Sequence, residues 1–286
     1  MKAFFTKYYL RLQWFFNYSR NMWHLASAQE IEKLKKEAII PLNRFEHKIY
    51  SQHGEDGIIR EIFKRIGVSS KTFFEFGAGS GSENNTIALL IDGWKGWWID
   101  GGDYVDVYKN LFSTSIEEKK LYVSKHMVTS KNINQLVSEL GIPQEIDLIS
   151  IDIDGNDYYI WQALEATKPR VVVIEYNAAY PPGMHFLQDE SVSFWNGSNF
   201  FGSSLHTQNE LAKKKGYTLV CCDLIGGNAF FVRNDLVGDK FEYAGDIEKI
   251  WQKPKYYLYY YGGHVPYINY GHVPAMGKWV PESNKK

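Results

Sequence analysis

The chain of 286 residues is long enough for one large domain or two small ones, and for a self-sufficient hydrophobic core. Its 32 Lys and Arg nearly balance 33 Asp and Glu, so the formal charge of −1 excludes the basic footprint of a nucleic-acid binder. The 2 cysteines, adjacent at Cys221 and Cys222, exclude a disulfide framework and point to a reducing compartment. With no apolar run of the ~18 residues that span a bilayer and no signal-peptide layout, the expectation is a cytoplasmic protein, at most peripheral to a membrane.

Nine aromatic residues fall in residues 1–28 and nine more in residues 251–280, so the two ends differ in kind from the middle. In the first segment Phe4, Phe5, Tyr8, Tyr9, Leu12, Phe15, Phe16, Met22 and Trp23 recur at spacings of three and four, which predicts a helix. Its charges are Lys2, Lys7, Arg11 and Arg20, with no acid. Such a helix suits an anionic membrane surface, its own domain, or a second copy in a homo-oligomer, and docking on protein is the plainer of these readings. A polar helical stretch, about 28–37, then leads into the main domain, so residues 1–48 form an N-terminal segment.

From residue 49 to about 240 short apolar runs alternate with helical stretches, the signature of an α/β fold with a mainly parallel sheet. Strands are expected at 72–76, 96–100, 120–123, 147–151, 171–176, 217–222 and 228–233, with helices at 84–92, 104–112, 131–140, 158–166 and 205–215. Only five residues separate the last two strands, so they should form a hairpin and put one antiparallel strand into a seven-stranded sheet. That inventory is Rossmann-like, and it differs from a dinucleotide dehydrogenase, which continues with another parallel crossover. Residues 178–203 form an insertion after the fifth strand that should lie over the strand tips as a lid, with Phe194, Trp195, Phe200 and Phe201 to stack on an acceptor or pack the loop. Residues 241–286 form an aromatic C-terminal extension with Gly-His-Val-Pro at 263–266 and again at 271–274.

The strongest local signal is FFEFGAGSG, at the end of the first strand, where Gly77, Gly79 and Gly81 around Ala78 permit a tight turn and close approach to a ligand. Asp100, at the tip of the second strand, is placed to accept hydrogen bonds from ribose hydroxyls. Glu75 beside the turn repels a pyrophosphate but suits the cationic amino and sulfonium groups of S-adenosylmethionine. The turn, Asp100 and DLISIDIDGNDYYIWQAL together resemble a class I S-adenosylmethionine-dependent methyltransferase, and YSQHGEDGIIREIF is similar to a segment of the FkbM-like group. The resemblance covers roughly residues 50–233 and neither aromatic end. It implies O-methylation of a sugar or glycan-like hydroxyl, and it places Gln52 and Glu55 near cofactor or acceptor, although both also read as the first turn of a helix capped by Ser51.

Asp152, Asp154 and Asp157 follow the fourth strand and Glu175 ends the fifth, so their oxygens can converge in one crevice. Asp152, Asp154 and Glu175 are candidate ligands for Mg²⁺ or a similar cation, while Asp154 to Asp157 also reads as a polar turn and helix cap. Methyl transfer to a hydroxyl needs alignment and a base, for which His206 and Asp152 are candidates, with Asp154 beside them and His185 and His53 further off. An NAD-dependent oxidoreductase and a non-catalytic scaffold that keeps the fold stay open as alternatives. Cys221 and Cys222 should alternate across a strand, one inward and one outward, and pack.

Overall fold

The computed structural model describes residues 2–78, 83–103, 105–192, 199–258 and 277–279. In chain order its strands are β1 (Thr72–Phe76), β2 (Lys95–Asp100), β3 (Leu121–Lys125), β4 (Glu145–Ile151), β5 (Lys168–Glu175), β6 (Phe186–Gln188), β7 (Tyr217–Cys222), β8 (Asn228–Arg233) and β9 (Gly277–Trp279). The helices are α1 (Lys2–Glu37), α2 (Glu55–Ile66), α3 (Ile87–Ile91), α4 (Val105–Leu111), α5 (Ser113–Glu117), α6 (Ile133–Glu139), α7 (Asp157–Ala163), α8 (Leu205–Lys215), α9 (Asn234–Val237) and α10 (Ile247–Ile250).

Seven strands form one sheet in the order β3-β2-β1-β4-β5-β8-β7. All its neighbours pair in parallel except β8, which runs antiparallel to both β5 and β7. This is a Rossmann-like, mostly parallel α/β sheet with one antiparallel strand. The sequence dictates it through strands that are apolar on both sides: Phe73, Phe74 and Phe76 of β1 and Val171 to Ile174 of β5 are all buried, so alternate residues meet cover on opposite faces. Both cysteines pack, as expected, for the same reason. Cys221 and Cys222 are both fully buried, because the edge strand β7 is packed by α8 and α10 and carries a bulge between Leu219 and Cys221.

The far end of the sheet is held by a buried ion pair. Asp147 accepts from Arg170 at 2.6 Å and from the Ser69 and Ser70 amides at 2.9 and 2.7 Å, while Arg170 also donates to the Gly67 and Ile66 carbonyls. Burial alone would raise the Asp147 carboxyl, but the guanidinium and amides outweigh it and hold the group below its ordinary value. Its stabilising contribution is therefore present above the unfolded-chain value of about 3.9 and is lost as pH falls through the depressed folded value. Arg170→Met should cost about 3–5 kcal/mol in urea unfolding at neutral pH, because it strands the Asp147 carboxylate.

α1 is continuous from Lys2 to Glu37, joining the aromatic and polar stretches into one helix. Trp14, Phe15, Tyr18, Met22 and Leu25 share one side of it at three-to-four spacing and are all exposed, whereas Ser27 is buried toward the domain. The Gly-His-Val-Pro repeats lie outside the described residues, while Gly277–Trp279 pairs antiparallel with β6 of the insertion.

Candidate functional site

The strand order reverses between β1 and β4, and open α/β sheets bind ligands in the crevice beyond the carboxyl ends at such a point. There the Asp152 amide donates to the Phe76 carbonyl at 3.3 Å, and the Gly77 amide donates to the Ile99 carbonyl at 3.1 Å. Gly77 has φ +76°, and a Cβ there would lie 1.3 Å from the Asp152 carbonyl oxygen. Only glycine lets the turn after β1 cross the end of β4. Ala78 is buried beside it, while Gly79 and Gly81 lie outside the described residues.

Glu75 is enclosed by its own chain. Its carboxylate accepts from Asn84 Nδ2 at 3.3 Å, the Asn85 amide at 3.0 Å and Thr86 Oγ1 at 2.5 Å, and Thr86 Oγ1 in turn accepts from Trp98 Nε1 at 2.8 Å. Burial pushes the carboxyl up, and these donors offset only part of that. Glu75 thereby ties β1 to the segment leading into α3. At the tip of β2, partly buried Asp100 accepts from the Gly102 amide at 2.6 Å, which folds the chain back beside the crevice.

Asp152, Asp154 and Glu175 come together, each offering an oxygen within 4.8 Å of the others. Strand alternation is not what joins the two aspartates. β4 ends at Ile151, Asp154 takes φ +59°, and Asp157 accepts the Ile153 and Gly155 amides at 2.8 and 3.0 Å, folding the turn that brings Asp154 back. Burial pushes Asp152 and Glu175 well up, and repulsion from neighbouring carboxylates adds to it; Asp154 rises through burial and Asp100. Asp157 is pushed to about 6, chiefly by burial. The three carboxyl groups are a donor set for a cation, whether an organic ammonium or sulfonium group or a hard divalent ion, whose positive charge would hold them ionised.

A second buried cluster adjoins this one and has no single-segment signal in the sequence. His53 Nδ1 lies 3.6 Å from Glu55 Oε1 and 4.0 Å from Asp223 Oδ2; Glu55 also accepts the His53 amide at 2.7 Å and Asn228 Nδ2 at 2.8 Å. Burial would raise Glu55, yet the His53 contacts bring it down to about 2, while burial and Glu55 push Asp223 to about 6. Ser51 does not cap α2 as expected. Gly54, at φ 103°, is the N-cap, Ser51 Oγ accepts the Asp56 amide at 3.1 Å, and Gln52 is exposed in the bend before the helix. The bend ahead of Gly54 wraps the Asp56 carboxylate, which accepts from the amides of Ile49, Tyr50 and Ser51.

The insertion leans on the turn after β4. Tyr159 OH donates to the Gln188 carbonyl at 2.7 Å, Gln188 Nε2 donates to Asn156 Oδ1 at 3.2 Å, and the Gly202 amide donates to Gln188 Oε1 at 3.0 Å. Within it Tyr180 stacks on Phe186 at 4.2 Å and Phe200 meets Phe186 edge-on, while Phe201 is buried; Phe194 and Trp195 lie outside the described residues. His206 Nδ1 accepts from the Gly183 amide at 3.3 Å, and its ring groups with His185 and Glu210 rather than with the carboxylates at the strand tips.

No protein-family model matches the chain, and no curated protein matches it. Among solved structures it is similar to the pyocyanin biosynthetic protein PhzM, at 14% identity and TM-score 0.39 over 61% of this chain and 54% of that one, so the chain spans about half of PhzM. It is also similar to a Staphylococcus aureus protein named for a caffeoyl-CoA O-methyltransferase, at 17% identity and TM-score 0.46 over 71% and 91% of the two chains. A third likeness is to the magnesium protoporphyrin IX methyltransferase of Synechocystis with bound S-adenosylhomocysteine (SAH), at 11% identity and TM-score 0.41 over 63% and 81%.

Proposed function

We propose that the chain is an S-adenosylmethionine-dependent methyltransferase of the FkbM-like kind that methylates a hydroxyl of a sugar or glycan. The observation that carries this reading is the meeting, at one switch point, of the glycine turn, Asp100 and the carboxylates of the β4 and β5 tips, in a sheet closed by an antiparallel β8. When bound, the donor supplies an electrophilic methyl group on a sulfonium. Asp100 accepts the ribose hydroxyls, Gly77 and Ala78 let the backbone approach, and the carboxylates face the positive charge. Asp152 takes the acceptor hydroxyl's proton, and the lid that leans on Asn156 and Tyr159 excludes water.

Calorimetry with SAH and with NAD separates the readings: SAH binds and NAD does not, whereas NAD binding alone would make the chain an oxidoreductase. SAH binding with no methyl transfer to any fraction of a cell extract would make it a scaffold. Asp100→Ala should weaken SAH by about 1–3 kcal/mol, read by the same titration, and unchanged affinity removes the ribose role. Asp154 and Glu175 with Asp152 suit Mg²⁺ by donor type. Activity that falls with chelator and returns with Mg²⁺ assigns the cation there, and an unaffected rate removes it.

The exposed Trp14, Tyr18, Met22 and Leu25 of α1 suit an anionic lipid surface, since residues 1–28 carry four basic residues and no acid beside their aromatic side chains. Deleting residues 1–28 should then abolish recovery with phosphatidylserine vesicles without changing SAH affinity.

A further inference from the structure

At the root of the lid, His185 stands just ahead of β6, and His206 and Glu210 sit one turn apart on α8. We propose that these three side chains form a zinc site that clips the lid to α8. His185 Nδ1 lies 3.5 Å from Glu210 Oε2, and His206 Nε2 lies 3.9 Å from Glu210 Oε1. One ligand atom from each residue fits within a span of 4.8 Å. Ligands held about 2.0–2.1 Å from a tetrahedral Zn²⁺ stand about 3.3 Å from one another, so the observed spacing needs only small side-chain adjustment to close on the ion.

The donor set decides the metal class. Two imidazoles and one carboxylate suit Zn²⁺, whereas Mg²⁺ and Ca²⁺ take oxygen ligands, such as those at the β4 and β5 tips. The backbone under the ligands is also set. Ser204 Oγ accepts the Thr207 amide and the Phe186 amide, each at 3.2 Å, and donates to the Met184 carbonyl at 2.8 Å, so the segments carrying His185 and His206 are joined before any ion arrives. The two rings meet edge to face, with centroids 4.3 Å apart.

The exposure of the site grades from 9% at the His185 side chain to 22% at His206 and 41% at Glu210. An ion can enter over Glu210, and a water can complete the fourth position. Ligation through His206 Nε2 moves the ring proton to Nδ1, which now accepts from the Gly183 amide at 3.3 Å. Zinc binding therefore opens that long contact and shifts the turn at Gly183. The clip and the methyltransferase reading are independent, because SAH affinity tests one and zinc uptake the other.

The test is titration of the chelator-stripped full chain with Zn²⁺ by calorimetry, and with Co²⁺ by visible absorption. We expect one ion per chain with Co²⁺ absorption of a nitrogen-ligated tetrahedral site. His185→Ala, His206→Ala and Glu210→Ala should each weaken uptake by more than about 10-fold, while His53→Ala, which alters the other histidine–carboxylate cluster, keeps wild-type uptake. Absence of stoichiometric uptake, wild-type affinity in His185→Ala, or loss of affinity in His53→Ala would each overturn the site. Should a variant fail to fold, diethylpyrocarbonate labelling of the wild-type chain decides. His185 and His206 are shielded by Zn²⁺ if the site exists, and are labelled equally with and without it if not.

Discussion

Asp152→Asn should lower methyl transfer by about 100-fold or more while leaving SAH affinity close to that of the wild type. The amide keeps the shape of the side chain, but it has no basic oxygen to take the acceptor's proton. It also removes one of three carboxylates whose oxygens lie within 4.8 Å of one another, so repulsion on Glu175 falls and the melting temperature should hold or rise. Transfer of a labelled methyl group to a panel of sugar acceptors, SAH calorimetry and a thermal melt measure the three quantities together. Wild-type turnover would move the base elsewhere.

Gly77→Ala should destabilise the chain by about 4 kcal/mol or more, read by urea unfolding. The new Cβ would stand 1.3 Å from the Asp152 carbonyl oxygen, which is backbone at the end of β4 and cannot swing away. β1 and β4 would have to part at the switch point, so SAH binding should be lost as well. Gly216→Ala is the matched control: φ is +83° at the end of α8, nothing lies within 4 Å of its Cβ position, and the cost should be about 1–2 kcal/mol. Equal costs at the two positions would mean that the close crossing is not what Gly77 provides.

The strands of the sheet were legible because their pattern is local. TFFEF, KGWWID and KPRVVVIE are apolar runs bounded by turn residues, and each lies within three residues of its expected position. The convergence of Asp152 with Glu175 was legible too, since parallel neighbours present their carboxyl ends together. The hydrogen-bond partners of Glu75 were not. Its carboxylate is taken up by Asn84, Asn85 and Thr86, which reach back after a turn, and nothing in the spacing shows where such a loop folds. β6 was missed because three residues are too few for a period to show.

The amino-acid sequence by itself determined the seven strands of the main sheet, the hairpin that ends it, and the crevice on which the glycine turn opens. Periodicity, turn residues and strand tips are properties of neighbours along the chain. Tertiary structure alone decided which charges share a volume. Glu55 meets Asn228 across 173 positions, and His185 of the insertion meets Glu210 of α8, through contacts set by packing rather than by spacing. It also decided that Gly77 must be glycine, because the atom that forbids a side chain belongs to Asp152, on another strand's end.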